Sequence, residues 1–347
     1  MENVRILNNS ISFDLPNNKF IKAFIDPPIK LIGSTTLNAL RKAASQSIKN
    51  QFTGNRYFLP ITVDSKRAMI AVQQYCSLLK TGFPNSAILY IGYDESSCHI
   101  LREKGATCTV VDDFMIHKPD PNLPKYHLKT YLLYIQNLWG LDAYIVDSDI
   151  LFFDHIEKAF FNNNIDIEMS SDDRFAIFSK DVDRNGTNSG FGRFLPTSGS
   201  ARIIEEMLNL TFVDNANPDQ AIHVNVYHKW RVNYLKSFVK GIETWKRDGV
   251  VVKFRNVDPL NVPCGGLAVC VGRTKFWNAV EKQTARKYPV AIHFNYNLWD
   301  KYQTYQWLGV EMCNIWNMEK AIELKSKIMT VKCVTRLRCE NCYIYTY

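Results

Sequence analysis

The stretch from Leu141 to Asp154, Leu-Asp-Ala-Tyr-Ile-Val-Asp-Ser-Asp-Ile-Leu-Phe-Phe-Asp, narrows what the chain can become more than any other. An apolar run with β-branched residues meets two carboxylates one residue apart and resumes as Ile150 to Phe153, the pattern of a buried strand ending in acid. On a regular strand the side chains at i and i+2 point the same way, and carboxylates that close repel unless a cation lies between them. Hard oxygen ligands suit Mg2+ or Mn2+, ions whose open positions are filled by substrate phosphates. The same tripeptide also serves as a plain turn with both Asp side chains capping backbone amides. Asp147-Ser148-Asp149 therefore needs companions before it points to a metal-bound diphosphate.

The frame around it is legible. Tyr57 to Val63 reads as a strand, Lys66 to Lys80 as a helix capped by Asp64-Ser65, Ala87 to Tyr93 as a second strand, Glu95 to Lys104 as a helix and Thr107 to Val111 as a third strand. Strand and helix in alternation with short connections predict a parallel sheet, and the ligands of such sheets lie beyond the carboxyl ends of the strands. That edge would gather Asp64, Asp94, Asp112 and the Asp147/Asp149 pair. A helix from Lys125 to Asn137 puts Lys125 and Lys129 on one face, suited either to a phosphate or to solvent. Further on, the pattern predicts a helix over 154–160, strands at 165–169, 188–194, 250–254 and 288–294, and helices at 199–208 and from Asn217-Pro218-Asp219-Gln220 onward, the last carrying His223 and His228 as structural residues.

Length and charge set outer limits. The 347 residues suffice for one large α/β domain, which we bound at 56–316, with an N-terminal extension over 1–55 packed on it and a tail over 317–347. The net charge of +8 is uneven: from Lys229 onward 20 Lys/Arg face 9 Asp/Glu, a balance of +11 that leaves −3 for the rest. A basic final third can attract an anionic ligand or a membrane surface, making peripheral membrane contact an option; dispersed cations without a recognition motif disfavour nucleic acid. No run of about 18 apolar residues occurs, so no transmembrane span is expected. The N-terminus is polar and the nine cysteines are scattered, which predicts free thiols and a cytoplasmic protein.

The companions of the acidic pair come in a fixed order. Asp147-Ser148-Asp149, Ser171-Asp172-Asp173, Asn188-Ser189-Gly190-Phe191, Asp219-Gln220 and His293-Phe294-Asn295-Tyr296 with Lys301 together resemble the nucleotide-sugar glycosyltransferases of the GT-A fold. The resemblance covers Tyr57 to Val310 and is nearest to the nucleotide-diphospho-sugar transferase group of glycosyltransferase family 77, with family 8 more distant. It implies an α/β, Rossmann-like fold with a mostly parallel central sheet flanked by helices. It further implies Mn2+ (or Mg2+) on Asp147, Asp149 and His293, an imidazole favouring Mn2+. Lys301 would stabilise the leaving diphosphate. Lys129 would be the basic residue on the donor, Asp64 would lie near nucleobase and ribose, and Ser148 and Ser189 would line the donor site. Asp173 and Asn188 would bind sugar hydroxyls, and Asp219 and Gln220 would flank the anomeric carbon.

The activity so implied is retaining transfer from a nucleotide-diphosphate sugar, by habit a UDP-sugar, to a glycan or protein-linked acceptor. Same-face attack is preferred, because Gln220 would be a poor nucleophile. Acceptor specificity is expected in the loops 193–198, 258–266 and 297–307. Many relatives open with a signal anchor where this sequence opens on polar residues, which predicts a cytoplasmic protein, or the Golgi lumen if the chain is part of a longer one; Phe152-Phe153-Asp154-His155 also stands where a Trp and an Asp-Pro turn are common. Two other readings compete: a phosphatase of the haloacid dehalogenase kind, with Asp147 and Asp149 as nucleophile and acid, and a catalytically inactive nucleotide- or glycan-binding module.

Overall fold

The computed structural model describes residues 5–7, 10–12, 26–27, 31–112, 123–160, 164–171, 187–213, 219–264, 273–283 and 288–294. Its first half contains β1 (Arg5–Leu7), β2 (Ser10–Ser12), α1 (Ser34–Ser45), β3 (Ile48–Lys49), β4 (Arg56–Tyr57), β5 (Leu59–Val63), α2 (Ala68–Lys80), β6 (Ile88–Gly92), α3 (Glu95–Glu103), β7 (Cys108–Val110) and α4 (Leu123–Leu138). The second half contains β8 (Ala143–Val146), β9 (Ile150–Phe152), β10 (Ile167–Ser171), β11 (Thr187–Phe194), α5 (Ser198–Val213), α6 (Asp219–Tyr234), β12 (Leu235–Val239), β13 (Ile242–Arg247), β14 (Val250–Asn256), α7 (Arg273–Gln283) and β15 (Ala291–His293).

The α/β class follows the sequence pattern. Strands β5, β6 and β7 pair in parallel, and β5 and β6 are buried at every position, which is why they read as unbroken apolar runs. Beside them β5 lies along β8, the edge of a six-stranded sheet ordered β12-β13-β14-β10-β11-β8. Only β10 and β14 are parallel in that sheet; its other pairs are antiparallel. The antiparallel arm comes from two hairpins, one turning at Lys240-Gly241 and one at Asp248-Gly249, with positive φ at all four positions. Such two-residue turns match the natural twist of their strands. Strands β12 and β13 and helix α7 fall where no element was expected from the sequence, and the expected helix at 154–160 is a single 3-10 turn, Ile156–Ala159.

Helix α1 has no side-chain cap of its own, since Gly33 stands at its N-cap. Asp112, just beyond β7, supplies one: its carboxylate accepts hydrogen bonds from the backbone N–H of Thr35 and Thr36, both at 2.9 Å. Leu37, Leu40, Ala43 and Ala44 of α1 then join the same core as Leu59, Ile61 and Tyr90.

Two expectations fail here. Arg193, assigned to an acceptor-side loop, is fully buried in β11 and pairs with Glu168 at 2.5 Å, because the register sets these residues directly opposite each other on β11 and β10. The thiols are not all outside disulfides: Cys98 on α3 is bridged to Cys108 on β7, and Cys76 is also disulfide-bonded, while buried Cys264 lies in no disulfide. The fold-back of α3 onto the next strand brings together two cysteines that look scattered in sequence. Among the described residues no helix is long and apolar enough to cross a membrane.

Candidate active site

Strand β8 stops at Val146, so the acidic pair sits in the turn between β8 and β9 and not, as expected, on a regular strand. Three other elements hold that turn. The Gln74 side-chain amide of α2 donates to the Asp147 carbonyl, the Asp147 N–H donates to the Gly190 carbonyl of β11 at 2.6 Å, and the Phe294 N–H donates to the Asp149 carbonyl at 3.0 Å. On the far side β15 pairs antiparallel with β9, setting His293 opposite Ile150.

This scaffold brings Asp147, Asp149 and His293 together, with one ligand atom of each lying within 4.8 Å of the others. His293 Nε2 stands 3.3 Å from Asp149 Oδ1 and 3.6 Å from Asp147 Oδ2. That nitrogen is buried and forms no hydrogen bond of acceptable geometry. For bonds of about 2.1 Å, ligands at right angles around one hard cation sit about 3 Å apart, so these separations fit a shared ion. The donor set of two carboxylates and one imidazole fits Mn2+ better than Mg2+ or Ca2+, which prefer oxygen alone.

Electrostatics tie the cluster together. Burial alone would raise the pKa of Asp147, but the ammonium of Lys129, followed by His293, holds it far below the usual carboxylate range. Burial would likewise lower the pKa of His293, yet the facing carboxylates outweigh it and push the imidazole up to about 9. Lys129 Nζ donates to Asp147 Oδ1, so the second oxygen of that carboxylate is the one facing His293.

Gly190 makes the approach possible. A Cβ there would collide with the His293 ring and lie 2.5 Å from Asp147 Oδ2 and 2.8 Å from Asn188 Oδ1. Asn188 is turned to its own strand, its Oδ1 accepting from the Gly190 N–H at 2.6 Å. Gln220, at the start of α6, spans β11 with both ends of its amide: Oε1 accepts from the Ser189 N–H at 2.6 Å, and Nε2 donates to the Thr187 carbonyl at 2.7 Å. Ser148 and Ser189 are buried beside the cluster.

Other expected residues are placed differently. Asp64 caps the turn after β5, accepting from the Arg67 N–H at 3.0 Å, while Asp94 caps α3 and Asp112 caps α1. The last two are structural caps and not part of an acidic rim. His223 is buried with its Nε2 2.9 Å from Thr130 Oγ1, in keeping with a structural role. Asp173 and Lys301 lie outside the described residues, as does the side chain of Asp219. Sequence reasoning missed Gln74 and gave Gly190 no role; the available signal was a glutamine at a fully buried position of the apolar helix α2.

An α/β frame that gathers two carboxylates and an imidazole at one turn has the make-up of a site for a divalent cation and a phosphate-bearing ligand. The chain belongs to the nucleotide-diphospho-sugar transferase family, whose sequence model matches residues 86–304, and this bears out the resemblance drawn from the ordered motifs. Among solved structures it is similar to the WbbM bifunctional glycosyltransferase in its apo form, at 10 % identity over 82 % of this chain and 53 % of that one, with a TM-score of 0.47. It is also similar to the apo glycosyltransferase GlyE of Streptococcus pneumoniae TIGR4, at 12 % identity, 78 % and 63 % coverage and a TM-score of 0.40. A third similarity is to the galactosyltransferase LgtC in complex with donor and acceptor sugar analogues, at 12 % identity, 79 % and 96 % coverage and a TM-score of 0.39. The chain thus spans about half of WbbM and under two thirds of GlyE. No match was found among curated proteins.

Proposed function

We propose that this protein is a metal-dependent, retaining glycosyltransferase that moves a sugar from a UDP-sugar to a glycan or protein-linked acceptor. The observation that carries the reading is the convergence of Asp147, Asp149 and His293 from two distant parts of the chain. When bound there, Mn2+ would neutralise the diphosphate and ease its departure. The chain's own residues have separate tasks. Lys129 fixes the orientation of Asp147, while Gly190 leaves the cluster room. Gln220 braces β11 through the backbone of Ser189 and Thr187, and the family pattern suggests donor-sugar contacts for Asn188 and Ser189. An amide engaged at both ends by backbone is not available as a nucleophile, which supports same-face attack on the anomeric carbon. Asp173, Asp219 and Lys301 keep the roles the family pattern suggests, on the donor sugar and the leaving phosphate, and Asp64 its place by the nucleoside.

The test is release of UDP from UDP-sugars in the presence of Mn2+, with and without acceptor glycans. Turnover that disappears in Asp149→Ala and in EDTA supports the reading, and binding without turnover would favour the inactive-module alternative. Phosphate release from a phosphomonoester without UDP-sugar turnover would favour the phosphatase. The cytoplasmic placement has lost its support from free cysteines, and the Cys98–Cys108 bridge favours an oxidising compartment.

A further inference from the structure

Among the described residues six large apolar side chains stand more than a third exposed, and four of them, Val232, Phe238, Val239 and Val251, fall on the short run from the end of α6 to β14. The same run carries Lys236, Lys240, Lys246 and Lys253, all exposed, and none of them forms a salt bridge with a described carboxylate. The acids of this run are already engaged, Glu243 with Arg231 at 2.9 Å and Asp248 with Arg247 at 3.2 Å. Register decides how the free lysines and the aliphatics are mixed. Lys246 pairs across strands with Val251, Thr244 with Lys253 and Val239 with Ile242, while Glu243, Trp245, Val252 and Phe254 turn inward. Val239, Ile242 and Val251 therefore share the outward face of β12–β14 with Lys246 and Lys253, while Phe238, opposite Glu243, belongs to the other face and Val232 to α6.

We propose that this hairpin face seats the protein on an anionic membrane surface. Exposed valines suit the boundary between headgroups and acyl chains, and ammonium groups beside them suit lipid phosphates and carboxylates. Each lysine brought to such a surface strengthens partitioning by roughly fivefold. A second copy of the chain is the poorer occupant. The β12 ladder is irregular between Leu235 and Ser237, with Lys236 at the irregularity, a device that blunts edge pairing, and two such faces would set like charges together.

Co-sedimentation of the full chain with vesicles tests this, comparing phosphatidylcholine alone with phosphatidylcholine containing phosphatidylglycerol. Binding is expected only to the anionic vesicles and is expected to fall with added salt. Lys240→Glu with Lys246→Glu should weaken it by at least roughly 25-fold. Val239→Ser with Val251→Ser, which leaves charge unaltered, should weaken it as well, while UDP-sugar turnover in solution and the melting temperature stay unchanged in both variants. Absence of binding to anionic vesicles, or equal binding by the variants, overturns the proposal. So does a change in oligomeric state on the serine substitutions without a change in vesicle binding, which would make the face a contact between copies.

Discussion

His293 Nε2 lies 3.3 Å from Asp149 Oδ1, although one residue ends the described chain's last strand and the other closes a turn near its middle. Nothing local connects them; the β9–β15 pairing does. Replacing Asp149 with alanine should lower Mn2+ affinity by at least about 100-fold, since even outer partners of a metal site are worth 10–100-fold. Calorimetric titration of the metal-free protein with Mn2+ reads this directly, and an unchanged affinity would remove Asp149 from the site.

Metal affinity should also depend on pH. The folded, metal-free His293 has its pKa raised from 6.5 to about 9, so its proton stabilises the fold fully below pH 6.5, and this contribution is lost as pH rises through 9. An imidazole must shed that proton to bind a cation, so affinity should rise about tenfold per pH unit up to pH ~9 and then level off. Thermal melts should show the metal-free protein weakening across that window while the increment from Mn2+ grows.

Gly190→Ala should hurt the site more than the fold. The added methyl meets the His293 ring and Asp147 Oδ2, atoms that close packing leaves little room to move. Overpacking of this kind costs about 1–3 kcal/mol. Mn2+ binding is expected to disappear while circular dichroism still reports a folded chain at room temperature.

Gln220→Glu separates bracing from nucleophilic catalysis. Glutamate would set an acceptor against the Thr187 carbonyl where the amide now donates, at a cost of about 1–3 kcal/mol in urea unfolding. If Gln220 braces β11, turnover should fall with the loss of stability and no covalent glycosyl-enzyme should be seen by mass spectrometry.

Reduction should weaken the first half of the molecule. The Cys98–Cys108 bridge closes a loop with a sequence separation of 10, for which chain entropy gives about 2–3 kcal/mol. Cys98→Ser, compared with Cys264→Ser as a control, should lower the melting temperature and remove part of the sensitivity to dithiothreitol.

The sequence alone carried the parts of this protein that depend on short-range pattern. Unbroken apolar runs marked β5, β6 and β8, Asp64 announced its cap, and the order of motifs named both the family and the three residues of the cluster. Burial and chain direction fix those features within a few residues. Partner choice was decided only in three dimensions. Asp112 caps a helix far behind it, Lys129 reaches Asp147, Arg193 is drawn inside by Glu168, and Cys98 meets Cys108. Each of these depends on strand order and register, which bring distant residues to one point, and a side chain's charge or length does not reveal which neighbour that order will supply.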